Sequence, residues 1–210
     1  MSIGMILLTA VAVLIFFGVA QRVLDKMRLS DKAALTIVAA MFFLSLVPNI
    51  AIGQVSVNLG GAVVPVFVCA YLLIKAESGK EVFRALLASV LTGTAVFFLS
   101  RYLPSEAEYM TVDPNYLYGL AAGIIAYIFG RSRRGAFIAG VLGVLSADVA
   151  VAVVNWRDGI SQPLVLGGAG ALDTMVLAGL IAVILAELVG EVLERIHRGK
   201  APEGEPEVSK

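Results

Sequence analysis

The sequence predicts an all-α polytopic membrane protein of about seven transmembrane helices, laid out as two parallel three-helix repeats joined by a linker helix. Three observations carry that prediction. Hydrophobic residues make up 59% of the 210 and mean hydropathy is +0.91, more apolar material than the core of a soluble domain this size requires. The apolar residues are gathered into seven runs. The loops between those runs alternate between rich and poor in lysine and arginine.

A bilayer core about 30 Å thick is crossed by a helix of roughly 17 to 25 residues, which satisfies its backbone hydrogen bonds internally. The runs extend from Ile3 to Ala20, Ala33 to Ile52, Val57 to Ile74, Ala85 to Ser100, Tyr116 to Gly130, Gly135 to Asn155 and Leu164 to Ala186. Residues 1–200 are thus expected to form one transmembrane domain. Repeat one covers 3–74, the linker helix 85–100 and repeat two 116–186. The segment 201–210, rich in Pro and Glu, is expected to be a disordered cytoplasmic tail.

Lysine and arginine resist translocation, so their distribution sets the direction of each span. Arg22, Lys26, Arg28 and Lys32 follow the first run, Lys75, Lys80 and Arg84 the third, and Arg131, Arg133 and Arg134 the fifth. The tail adds Arg195, Arg198, Lys200 and Lys210, whereas the other side holds only Arg101 and Arg157. Seven spans are the simplest count that gives this pattern, with the amino terminus outside and the carboxyl terminus in the cytoplasm. Only Met1 and Ser2 precede the first run, so it is expected to stay as a span and not to act as a cleaved signal. Trp156 falls where the sixth run ends, as an interfacial anchor would, and Leu188 to His197 reads as a helical extension of the seventh.

The charges balance at 16 basic and 16 acidic, which leaves no field for nucleic acid. Cys69 is the sole cysteine and sits in an apolar run, which predicts an inert packed thiol. His197, the one histidine, lies beside the tail. No nucleotide loop, metal cluster or nucleophile with a base is present, so no cofactor and no metal are expected.

Leu59-Gly60-Gly61-Ala62 recurs as Leu166-Gly167-Gly168-Ala169, each copy at the outer entry of an inward-running span. Copies four crossings apart start on the same side, so the predicted repeat is parallel. Gly119 with Gly123, and Ala139 with Gly140 and Gly143, are small-residue faces for close helix packing.

Two acidic residues lie well inside the apolar runs, Asp148 on the sixth and Asp173 on the seventh, while Glu187 is near enough to an end to reach the interface. A carboxylate at that depth costs at least about 2.5 kcal/mol, so it needs a partner, a proton or water. Counting about 1.5 Å per helical residue from Asn155 and from Leu164 places the two acids at similar depth on consecutive antiparallel helices. Two carboxyls that meet share a proton, the arrangement with which an aspartic dyad activates water. Asp148 and Asp173 are therefore the candidate catalytic residues. Gly167, Gly168 and Gly170, with Asn58, Gly60 and Gly61, are the candidate substrate contacts, where backbone can approach a ligand.

Gly168-Ala169-Gly170 ahead of Asp173, with a second aspartate on another span, loosely resembles the motif of intramembrane aspartyl proteases such as presenilin and the prepilin peptidases. In those enzymes Gly-x-Gly immediately precedes the acid. Over nearly the whole chain before the tail, the sequence resembles a bacterial membrane-protein family, domain of unknown function 1614. Asn58-Leu-Gly-Gly-Ala62 with Pro65, Asp113-Pro114 with Tyr116 to Gly119, Gly130-Arg-Ser-Arg-Arg134 through Ala136-Phe-Ile-Ala-Gly140 to Asp148, and Gly167 to Asp173 carry this resemblance. It implies the fold and an inner (plasma) membrane location, but no activity. Three readings stay open: a di-aspartate hydrolase acting on a membrane-embedded peptide, a small-solute or ion carrier, and a structural membrane protein. In the last, Asn49, Asn58, Ser146 or Thr174 would supply hydrogen bonds to the aspartates. The lipid bilayer is the expected partner in all three, and the oligomeric state is not specified.

Overall fold

The computed structural model describes residues 24–25, 27–102, 114–170 and 173–198. The first predicted span, the loop holding Glu106 and Glu108, and the tail lie outside these residues. Six α-helices are described: α1 (Asp31–Ser45), α2 (Val64–Ile74), α3 (Gly79–Tyr102), α4 (Pro114–Gly130), α5 (Arg133–Arg157) and α6 (Thr174–Arg198). Three short strands, β1 (Ile50–Ile52), β2 (Val55–Val57) and β3 (Leu164–Leu166), join them, and a π-helical turn, Leu59–Val63, leads into α2.

Three helices are long and apolar enough to cross a membrane: α3, α5 and the Thr174–Glu194 part of α6. Leu59–Ile74 and Tyr116–Gly130 are apolar but shorter. The described helices α3 to α6 form a bundle in which α5 touches α3, α4 and α6, and α4 also lies along α6. Its seams are built from small residues. Gly119 and Gly123 of α4 face Leu177 and Ile181, Gly140 faces Ala178 and Gly179, and Gly143 faces Thr92, whose Cγ2 a methyl on that glycine would approach to 2.7 Å. Large apolar side chains point the other way: on α3, Ala85, Ala88, Thr92 and Gly93 are buried while Phe83, Leu86, Val90 and Phe98 are exposed. Small residues inside and bulky ones outside is the pattern of helices that pack by close approach in an apolar solvent.

The predicted helical spans need three corrections at one end of the bundle. The run from Ala33 to Ile52 is helical only to Ser45. Pro48 lacks an N–H and disfavours helix at the residue before it, and the chain then forms strand β1. The run from Val57 begins as the last residue of β2 and becomes α-helical only at Val64, with Pro65 in the first turn, where its missing donor costs nothing. The run from Leu164 begins as strand β3, passes through Gly167 and Gly170, both at positive φ, and becomes helical at Thr174.

The strands form one sheet in the order β1-β2-β3. β1 and β2 are an antiparallel hairpin turned at Gly53 and Gln54, with Ile52 opposite Val55. Gly53 at φ 62° occupies the first turn position, where type II′ turns take glycine. β2 and β3 run parallel, with Val57 opposite Leu166. That pairing brings the two glycine-rich tetrapeptides side by side, offset by two residues from their sequence alignment. A methyl on Gly167 would meet the Ala62 nitrogen at 2.5 Å, and one on Gly61 would meet the carbonyl carbon of Gly170 at 2.8 Å, so both positions exclude a side chain. Cys69 is fully buried, as expected of a packed thiol.

Candidate functional site

Asp148 lies on α5, a helix started by Ser132, whose hydroxyl accepts from Gly135 N–H at 3.0 Å. Asp173 is the residue immediately before α6. Its Oδ1 accepts from Met175 N–H at 3.1 Å and its Oδ2 from Ala169 N–H at 3.4 Å, so one carboxylate caps the helix and closes the glycine turn behind it. A depth counted along a continuous helix from Leu164 does not apply, because nothing from Leu164 to Gly170 is α-helical. The turn is held by Gly170 N–H donating to Gly167 C=O (2.8 Å) and Asp173 N–H donating to Gly170 C=O (3.0 Å).

Both aspartates line one cavity of about 370 Å³ at this end of the bundle, close enough to interact electrostatically. Ser100 of α3, Tyr118 of α4, Asn155 of α5, Gln162 and Thr174 add neutral polar groups; Val96, Val144, Val151 and Leu164 add apolar wall. No lysine, arginine or histidine lines it among the described residues. Its rim is fixed where Asn155 Nδ2 donates to Gln162 Oε1 at 3.0 Å and the Trp156 indole donates to Gln162 C=O at 2.9 Å, tying the end of α5 to the loop before β3. Trp156 is thus bonded at the end of its helix.

The other candidate positions fall elsewhere. Asn58 is buried and caps the π-turn, its Oδ1 accepting from Gly61 N–H at 2.8 Å and its Nδ2 donating to Asn49 Oδ1 at 2.8 Å. Gly60 is pressed against Met41 and Ser45, and Gly61 against the Gly167–Gly170 turn. None of Asn58, Gly60, Gly61, Gly167, Gly168 and Gly170 is in the cavity wall. Of the groups suggested as partners for the aspartates, Asn49 and Asn58 bond each other, Ser146 donates to Gly143 C=O at 2.8 Å, and Thr174 alone lines the cavity. Glu187 is ion-paired with Arg133 at the opposite end. Sequence reasoning did not single out Ser100, Tyr118 or Gln162. Polar residues at span ends are common, and only the folded loop shows which of them converge. No group of three or more His, Cys, Asp or Glu side chains suited to a metal ion occurs among the described residues.

Residues 15–185 match the family model described as protein of unknown function DUF1614. The chain belongs to the DUF1614 family. The match takes in every described element from α1 to β3 and the first half of α6, and with them both aspartates of the cavity. No curated protein and no solved structure matches the chain.

Proposed function

We propose that this DUF1614 protein is a seven-span membrane protein of the inner (plasma) membrane, amino terminus outside and carboxyl terminus in the cytoplasm, and that its Asp148–Asp173 cavity is a hydrolytic site. The observation that carries the hydrolytic reading is that two carboxyls from separate elements share one small cavity of mixed polar and apolar lining, with no basic group among the described residues lining it to neutralise them. In that setting a pair of acids divides the work of an aspartic dyad. One carboxylate takes a proton from water as the water attacks a carbonyl, and the other carboxyl gives a proton to the leaving amine. The substrate class that fits is a peptide segment presented within the membrane. Two parallel three-helix repeats remain part of this proposal, with the paired glycine turns at their shared end.

The test is cleavage of membrane-embedded reporter peptides by the reconstituted protein. Asp148→Asn and Asp173→Asn should each remove activity while leaving the fold intact, because an amide keeps the shape but cannot exchange the proton. Undiminished cleavage by either variant would end the hydrolase reading.

A carrier reading is favoured by a specific feature of the same cavity, which Ser100, Tyr118, Asn155, Gln162 and Thr174 line with neutral polar side chains together with the two acids. Such a lining suits a cation or proton passing between sites. Proton- or cation-driven flux in vesicles, lost in the same Asn variants and without peptide cleavage, separates the two.

A further inference from the structure

The opposite end of the bundle holds a second cavity, of about 430 Å³, between the first turn of α3 and the α4–α5 corner. Its basic side chains differ in how they are used. Arg134 is nearly buried and held by Glu81 at 3.3 Å and Glu77 at 3.6 Å, with Arg28 also on Glu77 at 2.6 Å. Arg133 is paired with Glu187. These pairs spend the acids. Lys80 and Arg84, which also line the cavity, have no acidic partner among the described residues.

Lys80 and Arg84 are four residues apart on α3 and so lie on one face of the helix. Leu87 and Leu91 continue that face and are both exposed. The stripe passes from two unpaired cations beside a polar cavity to bare apolar surface, within a helix long and apolar enough to span a membrane. The first turn of α5, from Arg133, also borders the cavity and adds the positive end of its backbone dipole.

From this we infer that the cavity binds the phosphate headgroup of an anionic lipid, with Lys80 and Arg84 on the phosphate and the acyl chains along Leu87 and Leu91. A free phosphate offers the same charge but leaves the apolar half of the stripe unused. The inference rests on α3 as a membrane span and is independent of the chemistry at Asp148 and Asp173.

The full chain in neutral detergent, titrated with dioctanoyl phosphatidylglycerol, dioctanoyl phosphatidylcholine or inorganic phosphate and read by native mass spectrometry, tests it. The anionic lipid should bind about tenfold more tightly than the zwitterionic one, given the attraction expected of two basic residues at a lipid surface. Lys80→Gln with Arg84→Gln should abolish that preference; Lys80→Arg with Arg84→Lys, checked for equal helicity, should keep it. Arg157→Gln, at the other end of the bundle, should leave it unchanged. Equal binding of the two lipids, a preference that survives the double Gln change, or an equal loss in Arg157→Gln would overturn the site. Inorganic phosphate binding as tightly as phosphatidylglycerol would overturn the lipid assignment.

Discussion

The two glycine-rich turns, side by side across the β2–β3 pair, solve one local problem with different chemistry. Each precedes a helical segment, and each needs a side chain to accept from the N–H groups that the first turn leaves unpaired. At the first turn the cap is Asn58, neutral, buried and paired with Asn49. At the second it is Asp173, an ionisable carboxyl that also lines the cavity containing Asp148. An amide completes the first turn within the protein. A carboxyl completes the second and still faces the cavity, so an ionisable group stands there where capping alone requires only a neutral acceptor. That excess separates a structural turn from a candidate site.

The sharpest way to break the comparison is to remove charge at the second turn and nothing else. On the hydrolytic reading, Asp173→Asn should lower cleavage by about 10²- to 10⁴-fold, the range for loss of a general acid or base. Stability in detergent should change by only a few tenths of a kcal/mol, since Asn caps a helix about as well as Asp. Asp148→Asn should match it in activity. Next in size, Gly61→Ala should destabilise by about 3 kcal/mol, because the added methyl meets the backbone of the neighbouring turn. Unfolding in mixed micelles measures this. Asn58→Ala should cost about 2 kcal/mol by leaving Gly61 N–H and Asn49 without their partner. Asp173→Ala, which loses cap and charge together, should cost about 1 kcal/mol while matching Asp173→Asn in lost activity. Equal activity losses from Asn58→Ala and Asp173→Asn would erase the distinction between the turns.

Much of the bundle was legible because its helices obey one rule. The runs ending at Ser100, Gly130 and Asn155 match α3, α4 and α5 to within a few residues at most ends, the start of α3 excepted, since length and apolarity suffice where no glycine or proline interrupts. The segments that begin at Val57 and Leu164 carry no clear strand signature in their apolarity, because short apolar runs look alike in a strand and a buried helix. The alternation Val55-Ser56-Val57 and the glycines after Leu166 were the available strand signals. Asp148 and Asp173 stand out in sequence through the cost of charge in an apolar run. Their shared cavity does not, since it depends on a turn that places Asp173 before its helix and not within it. Tyr118 and Gln162 join them only through helix packing and the bonded rim.

The parallel pairing of β2 with β3 joins segments about 110 residues apart in the chain. Ends that distant meet late, because the entropy of closing so long a loop is spent before any contact across it forms. Helices α3 to α5 precede Leu164 in the chain and are synthesised before it, so Asp148 waits in a half-built wall. The second acid arrives with the last strand. A nascent chain therefore carries no complete cavity until synthesis has passed β3, and any chemistry of the pair is switched on by the final step of assembly.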